Sequence, residues 1–213
     1  MAEIFTDVLV SYLDGLVPPR PAEMLDMEAW AAAHNFPIIG PAAGQCCYFL
    51  SRLIGARRIF ELGSGYGYST AWFARAVREN GGGEVHHVVW DEQLSQRART
   101  HLAALGLADL IRFHVAEAVE TLKNVGGTYD VIFNDILKNL YPSSLPVVEQ
   151  HLRPGGLLII DNMLWHARIF DENNRTPETE GVREATRILT SSGRWTSSLL
   201  PIRDGMIVAI RAT

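Results

Sequence analysis

The chain has 213 residues, 47% hydrophobic and 20% charged, enough for one domain with a sizeable core. Its formal net charge of -5 speaks against a nucleic-acid surface. No run of 18 apolar residues offers a membrane span, and Met1-Ala2-Glu3-Ile4-Phe5-Thr6-Asp7 lacks the basic and apolar parts of a signal peptide, so a cytoplasmic protein is expected.

Residues 3–17 read as an amphipathic helix with Ile4, Val8, Leu9, Tyr12, Leu13 and Leu16 on one face, stopped by Pro18-Pro19. That face is more apolar than a free arm needs, so a homodimer contact is expected there. A second helix covers 21–34, Phe36-Pro37-Ile38-Ile39-Gly40-Pro41 is an extended link, and a third helix runs 41–55. The third helix carries the only cysteines, Cys46 and Cys47. Helix neighbours point apart, so two buried thiols are expected rather than a disulfide. These helices read as an N-terminal cap, residues 1–55, on a core of 56–213.

From residue 58 the chain alternates strand and helix, the signature of a parallel α/β sheet. Strands are expected at 58–62, 85–90, 111–115, 129–134 and 156–160, the last nearly all apolar as a central parallel strand should be. Helices are expected at 68–78, 92–105, 118–123, 144–152 and 182–190. Residues 169–180 read as a loop, a candidate mobile lid. Two strands, 195–202 and 206–211, flank Arg203-Asp204-Gly205, a hairpin signal that makes the last strand antiparallel to its partner.

The run Glu61-Leu62-Gly63-Ser64-Gly65-Tyr66-Gly67-Tyr68-Ser69 joins the first strand to a helix. Its glycines let the chain turn sharply and let a ligand approach the backbone. The helix that follows aims its free N–H groups at the turn. A dinucleotide site would read G-x-G-x-x-G, whereas here the third glycine comes one residue early and Glu61 would repel a pyrophosphate while suiting an ammonium group. This run resembles the first motif of class I S-adenosylmethionine (SAM) dependent methyltransferases.

Open α/β sheets bind ligands at the carboxyl ends of their strands. The second strand ends at Trp90-Asp91-Glu92, where Asp91 can accept from ribose hydroxyls or cap the next helix. The third ends at Val115-Ala116-Glu117-Ala118; Glu117 is equally a helix-start acid. The fourth and fifth strands deliver Asp135 and Asp161-Asn162 at their tips. Three hard oxygen ligands on neighbouring strands suit Mg²⁺ or Ca²⁺, and no Cys/His cluster offers a zinc site.

With the glycine run, this constellation resembles the cation-dependent O-methyltransferases of the catechol and caffeoyl-CoA type, from about residue 36 onward. The resemblance implies a Rossmann-like fold: a mostly parallel seven-stranded sheet with an antiparallel C-terminal strand, helices on both faces and extra N-terminal helices. It implies SAM contacts at Ile39, Glu61, Gly63, Ser64, Gly65, Tyr68, Ser69, Asp91, Glu117, Ala118 and Asp135. It places the metal ligands at Asp135, Asp161 and Asn162, and catalysis at Lys138 with Asp135. Ala116-Glu117-Ala118 stands where that family has a G-D-A turn receiving the adenine amino group. Asp135-Ile136-Leu137-Lys138 lacks the second acid of the family's D-A-D-K. The implied activity is methyl transfer to a hydroxyl of a small catechol-like or phenolic acceptor. Trp165, His166, Arg168, Phe36 and Tyr141 are candidates for the acceptor pocket. The alternatives are a metal-independent methyltransferase using His166 or Lys138, and a non-catalytic SAM-binding protein.

Overall fold

The computed structural model describes residues 7–213, so the expected helical turn around Ile4 lies outside the described residues. Three helices come first: α1 (Asp7–Gly15), α2 (Ala22–His34) and α3 (Gly40–Leu53). Strand and helix then alternate through β1 (Arg58–Leu62), α4 (Tyr68–Glu79), β2 (Glu84–Val89), α5 (Glu92–Ala104), β3 (Ile111–Val115), α6 (Ala118–Val125), β4 (Tyr129–Asn134), α7 (Tyr141–His151), β5 (Leu152–Ile160) and α8 (Pro177–Ser191). The strands β6 (Trp195–Leu200) and β7 (Met206–Arg211) follow.

Among the described residues the seven strands form one sheet in the order β3-β2-β1-β4-β5-β7-β6. β3 to β5 run parallel, while β7 pairs antiparallel with both β5 and β6. Successive strand residues face opposite sides, and both sides are covered. Ile59, Val131, Phe133 and Ile159 pack with Met24, Met27, Cys47, Trp72 and Leu102 from α2 to α5. Phe60, Ile132, Leu158 and Ile160 pack with Leu122, Val148, Val182 and Leu189 from α6 to α8. A sheet apolar on both faces needs such double cover. Among the described residues no helix is long and apolar enough to cross a membrane.

Three expectations are corrected. α7 starts at Tyr141 rather than at 144, with Pro142 in its first turn, where a proline costs no hydrogen bond. α8 starts at Pro177 rather than at 182: Thr176 caps it by accepting from Thr179 N–H. The segment read as a lid is therefore partly helix, and its remainder is fastened. Arg183 donates to the carbonyls of Ile169 (3.0 Å), Asp171 (2.6 Å) and Asn174 (2.7 Å). Of the two thiols, Cys47 is buried but Cys46 is only half-buried, and both are free.

Candidate functional site

The loop after β1 is held against its neighbours by backbone. Ser64 N–H donates to the Val88 carbonyl and Val88 N–H to Ser64 Oγ, both at 2.9 Å, so the loop continues the pairing with β2. Asp135 N–H donates to the Leu62 carbonyl at 2.9 Å. Gly63 has φ +86°, and a Cβ there would lie 2.7 Å from the Asp135 carbonyl oxygen. Only glycine lets the loop press on the β4 tip this closely.

Glu61 lies beneath this loop and is fully buried. Its Oε2 accepts from Thr70 Oγ1, and its Oε1 has no partner. Burial pushes its carboxyl up to about 7, opposed by the nearby hydroxyls of Ser69, Thr70 and Ser64. His87 Nδ1 stands 3.0 Å from the same Thr70 hydroxyl. Burial holds the imidazole down to about 3, so it is neutral.

Above the loop opens a cavity of about 570 Å³. Of the expected cofactor residues, Ile39, Gly63, Ser64, Gly65, Tyr68, Ser69, Glu117, Ala118 and Asp135 line it. Glu61 and Asp91 do not. Asp91 instead accepts from Leu94 N–H at 2.9 Å, capping α5, and the cavity wall beside it is Val88, Val89 and Trp90. Glu117 lines the cavity while capping α6 through Glu120 N–H at 2.6 Å. Tyr68 sends its hydroxyl out of the cavity, to Glu28 Oε1 at 2.7 Å, which also binds Arg20 Nε at 2.6 Å.

The tips of β4 and β5 bring Asp135, Lys138, Asp161 and Asn162 to one end of the cavity. Lys138 Nζ donates to Asp135 Oδ1 at 2.7 Å and to the Ile136 carbonyl at 3.3 Å. The 3-10 turn 138–140 that carries it is packed tightly under α8, where a Cβ at Gly181 would lie 2.3 Å from the Lys138 carbonyl oxygen. Asp161 is 2% exposed, and its Oδ1 is buried without a partner. Burial, with Asp135 beside it, raises its carboxyl above the usual range; Arg203, 3.9 Å away, opposes this. An orphaned buried carboxylate oxygen is what a hard cation would satisfy, and the donors here are all oxygens. Among the described residues no three His, Cys, Asp or Glu side chains come together to hold a metal; the fit rests on two carboxylates and an amide.

Phe36, Trp165 and His166 also line the cavity. Tyr141 is fully buried instead, its hydroxyl donating to the Asp161 carbonyl at 2.9 Å. Arg168 stacks over Trp165 at 5.2 Å rather than facing the cavity. Arg203 and Glu178, both on the wall, were missed by sequence reasoning. Arg203 was read only as part of a turn, and Glu178 only as part of a loop.

The sequence profile of the O-methyltransferase family matches residues 23–212. A catechol O-methyltransferase of Niastella koreensis is 28% identical over 181 residues, covering 81% of each chain. A putative O-methyltransferase of Mycobacteroides abscessus is 30% identical over 174 residues, covering 81% of this chain and 80% of its own. Among solved structures, the O-methyltransferase from Bacillus cereus in complex with SAH superposes with a TM-score of 0.86 at 25% identity, covering 96% of this chain and 97% of that one.

Proposed function

The chain belongs to the O-methyltransferase family, and from that premise we propose that it moves a methyl group from SAM to a hydroxyl of a small catechol-like or phenolic acceptor, with a divalent cation assisting. The observation that carries this reading is Asp161: a buried carboxylate with an unpartnered oxygen, lining the same cavity as the glycine loop. When bound, SAM supplies the methyl group, and a cation at Asp135, Asp161 and Asn162 acidifies a hydroxyl.

The remaining work belongs to the chain. Gly63, Ser64, Gly65 and Ile39 hold the donor at the loop, with Tyr68, Ser69, Glu117, Ala118 and Asp135 around it; Glu61 supports the loop from beneath. With Asp135 engaged by the cation instead of by the lysine, Lys138 in its neutral form would take the proton of the acceptor hydroxyl. Phe36 and Trp165 present flat apolar faces to an aromatic acceptor. Alignment of donor and acceptor makes the main contribution to rate.

A panel of catechols and phenols incubated with SAM and Mg²⁺ tests this, read by the gain of one methyl group in mass spectrometry. Methylation that stops in chelator and returns with Mg²⁺ is the expected outcome. Methylation untouched by chelator would leave the transfer and sink the cation. That second, metal-independent reading has one observation in its favour: Lys138 and Arg203 already stand beside the two carboxylates.

We further read the chain as one domain, a core of 56–213 under a cap of 1–55, because α2 and α3 share one core with α4 and β1. A cytoplasmic homodimer fits the free thiols and the apolar residues left exposed on and beside α1 and α3, namely Val8, Tyr12, Leu16, Phe49 and Leu53. Sedimentation at the mass of one chain would overturn the dimer.

A further inference from the structure

Of the six non-glycine residues with positive φ among the described residues, five are Asn162, Trp165, His166, Ala167 and Arg203. They fall in two segments: the loop after β5, which carries Asn162, and the turn between β6 and β7. Backbone in this region is strained for residues with a side chain and persists only where its surroundings hold it. The bonds that hold it here run between the two segments. Met163 N–H donates to the Gly205 carbonyl at 2.9 Å, and Leu164 N–H to the Asp204 carbonyl at 2.7 Å. His166 N–H donates to Asp204 Oδ1 at 2.6 Å. The other oxygen of that carboxylate, Oδ2, accepts from Asn162 Nδ2 at 3.3 Å and stands 3.7 Å from His166 Nδ1.

The Asp204 side chain is 11% exposed. An ionised carboxylate only accepts hydrogen bonds, whereas an amide has one donating end and one accepting end. With Nδ2 of Asn162 committed to Asp204, its Oδ1 is the end left for another partner. The geometry points to Asp204 as a positioning residue: it fixes the rotamer of the Asn162 amide so that oxygen, not nitrogen, is presented toward Asp161 and Asp135. This inference rests on the proposed cation site and adds to it a residue that touches neither cation nor acceptor. Partners one step removed from a hard cation are worth roughly 10–100-fold in its affinity.

The test exchanges the two groups. In Asp204→Asn the new amide can still accept from His166 N–H, but it offers N–H groups toward residue 162, so the Asn162 oxygen turns to it and nitrogen turns to the site. Binding of Mn²⁺, followed by electron paramagnetic resonance of the free ion with SAH present, should weaken by roughly 10–100-fold. The affinity for SAH and the unfolding temperature should stay near wild type. Asn162→Asp combined with Asp204→Asn restores an oxygen on the site and an N–H···O contact behind it, so Mn²⁺ binding should return toward the wild-type value. Asn162→Asp alone sets two carboxylates against each other and should bind Mn²⁺ no better than wild type. Asp204→Asn binding Mn²⁺ as wild type does, or the double exchange binding no better than Asp204→Asn, overturns the role of Asp204 alone. Wild-type protein that binds no Mn²⁺ overturns the cation site and this role together. Loss of SAH binding in both exchanged proteins makes Asp204 a folding residue and overturns the assignment too.

Discussion

At the tips of β2 and β3 the acids are spent on helix ends, whereas at the tips of β4 and β5 they are not. Asp91 caps α5 and Glu117 caps α6, and the cavity wall between them is apolar: Val88, Val89 and Ala116. Asp161 caps nothing and keeps one buried oxygen without a partner. Asp135 faces a lysine across 2.7 Å. Both halves began as the same pattern, an apolar strand ending in an acid. The difference lies in what comes next. A helix starting within a residue or two supplies N–H groups that satisfy the acid. A longer loop leaves the acid for something else.

Asp161 gives the sharpest way to break this comparison. Asp161→Asn should cut methyl transfer by about a hundredfold or more, since a misheld cation forfeits several kcal/mol. The ligand-free protein should melt no lower than wild type, because burial disfavours the charge removed. Stability lost along with activity would make Asp161 structural.

Next in size comes Glu61, below the boundary between the halves. Its carboxyl is raised from 4.5 to about 7. A raised carboxyl contributes stability fully below its unfolded value and loses it as pH climbs through the folded one. The ligand-free protein should therefore lose on the order of 3 kcal/mol between about pH 4.5 and 7 from this group. Denaturant unfolding of Glu61→Gln should show a correspondingly flatter pH profile. An unchanged profile would place the charge on the carboxylate throughout.

The smallest effect is assigned to Asp91. Asp91→Ala should cost about 1 kcal/mol of stability as a lost cap and leave the calorimetric affinity for SAM nearly unchanged. A tenfold loss of SAM affinity would restore Asp91 as a ribose ligand and erase the contrast between the halves.

The strands were legible because apolar runs between glycine and polar breaks have few other readings; β1, β3, β4 and β7 carry the expected bounds. Helix starts were harder. Pro142 and Pro177 look like breaks in a sequence, yet each sits in the first turn of a helix, where its missing N–H has no partner to lose. The start of β5 was hidden likewise: the strand was expected from 156, but it begins at Leu152 and runs through Pro154-Gly155 with a register shift against β4. Of the site, the loop and the tip residues could be read because spacing alone brings them to one edge. That Glu61 lies under its loop against Thr70, and that Arg203 crosses to Asp161 from about 40 residues away, depends on packing that spacing does not encode.

The placement of β7 has a temporal side. It is synthesised after β6, yet it occupies the position between β5 and β6, hydrogen-bonded to both. β6 thus has no seat on the sheet until β7 arrives, and the two must dock as a hairpin. The turn of that hairpin carries Arg203 and Asp204, which reach back to Asp161, Asn162 and His166. A nascent chain can therefore complete the glycine loop and the β1–β4 pairing early, while the far end of the cavity takes its shape in the closing step of folding.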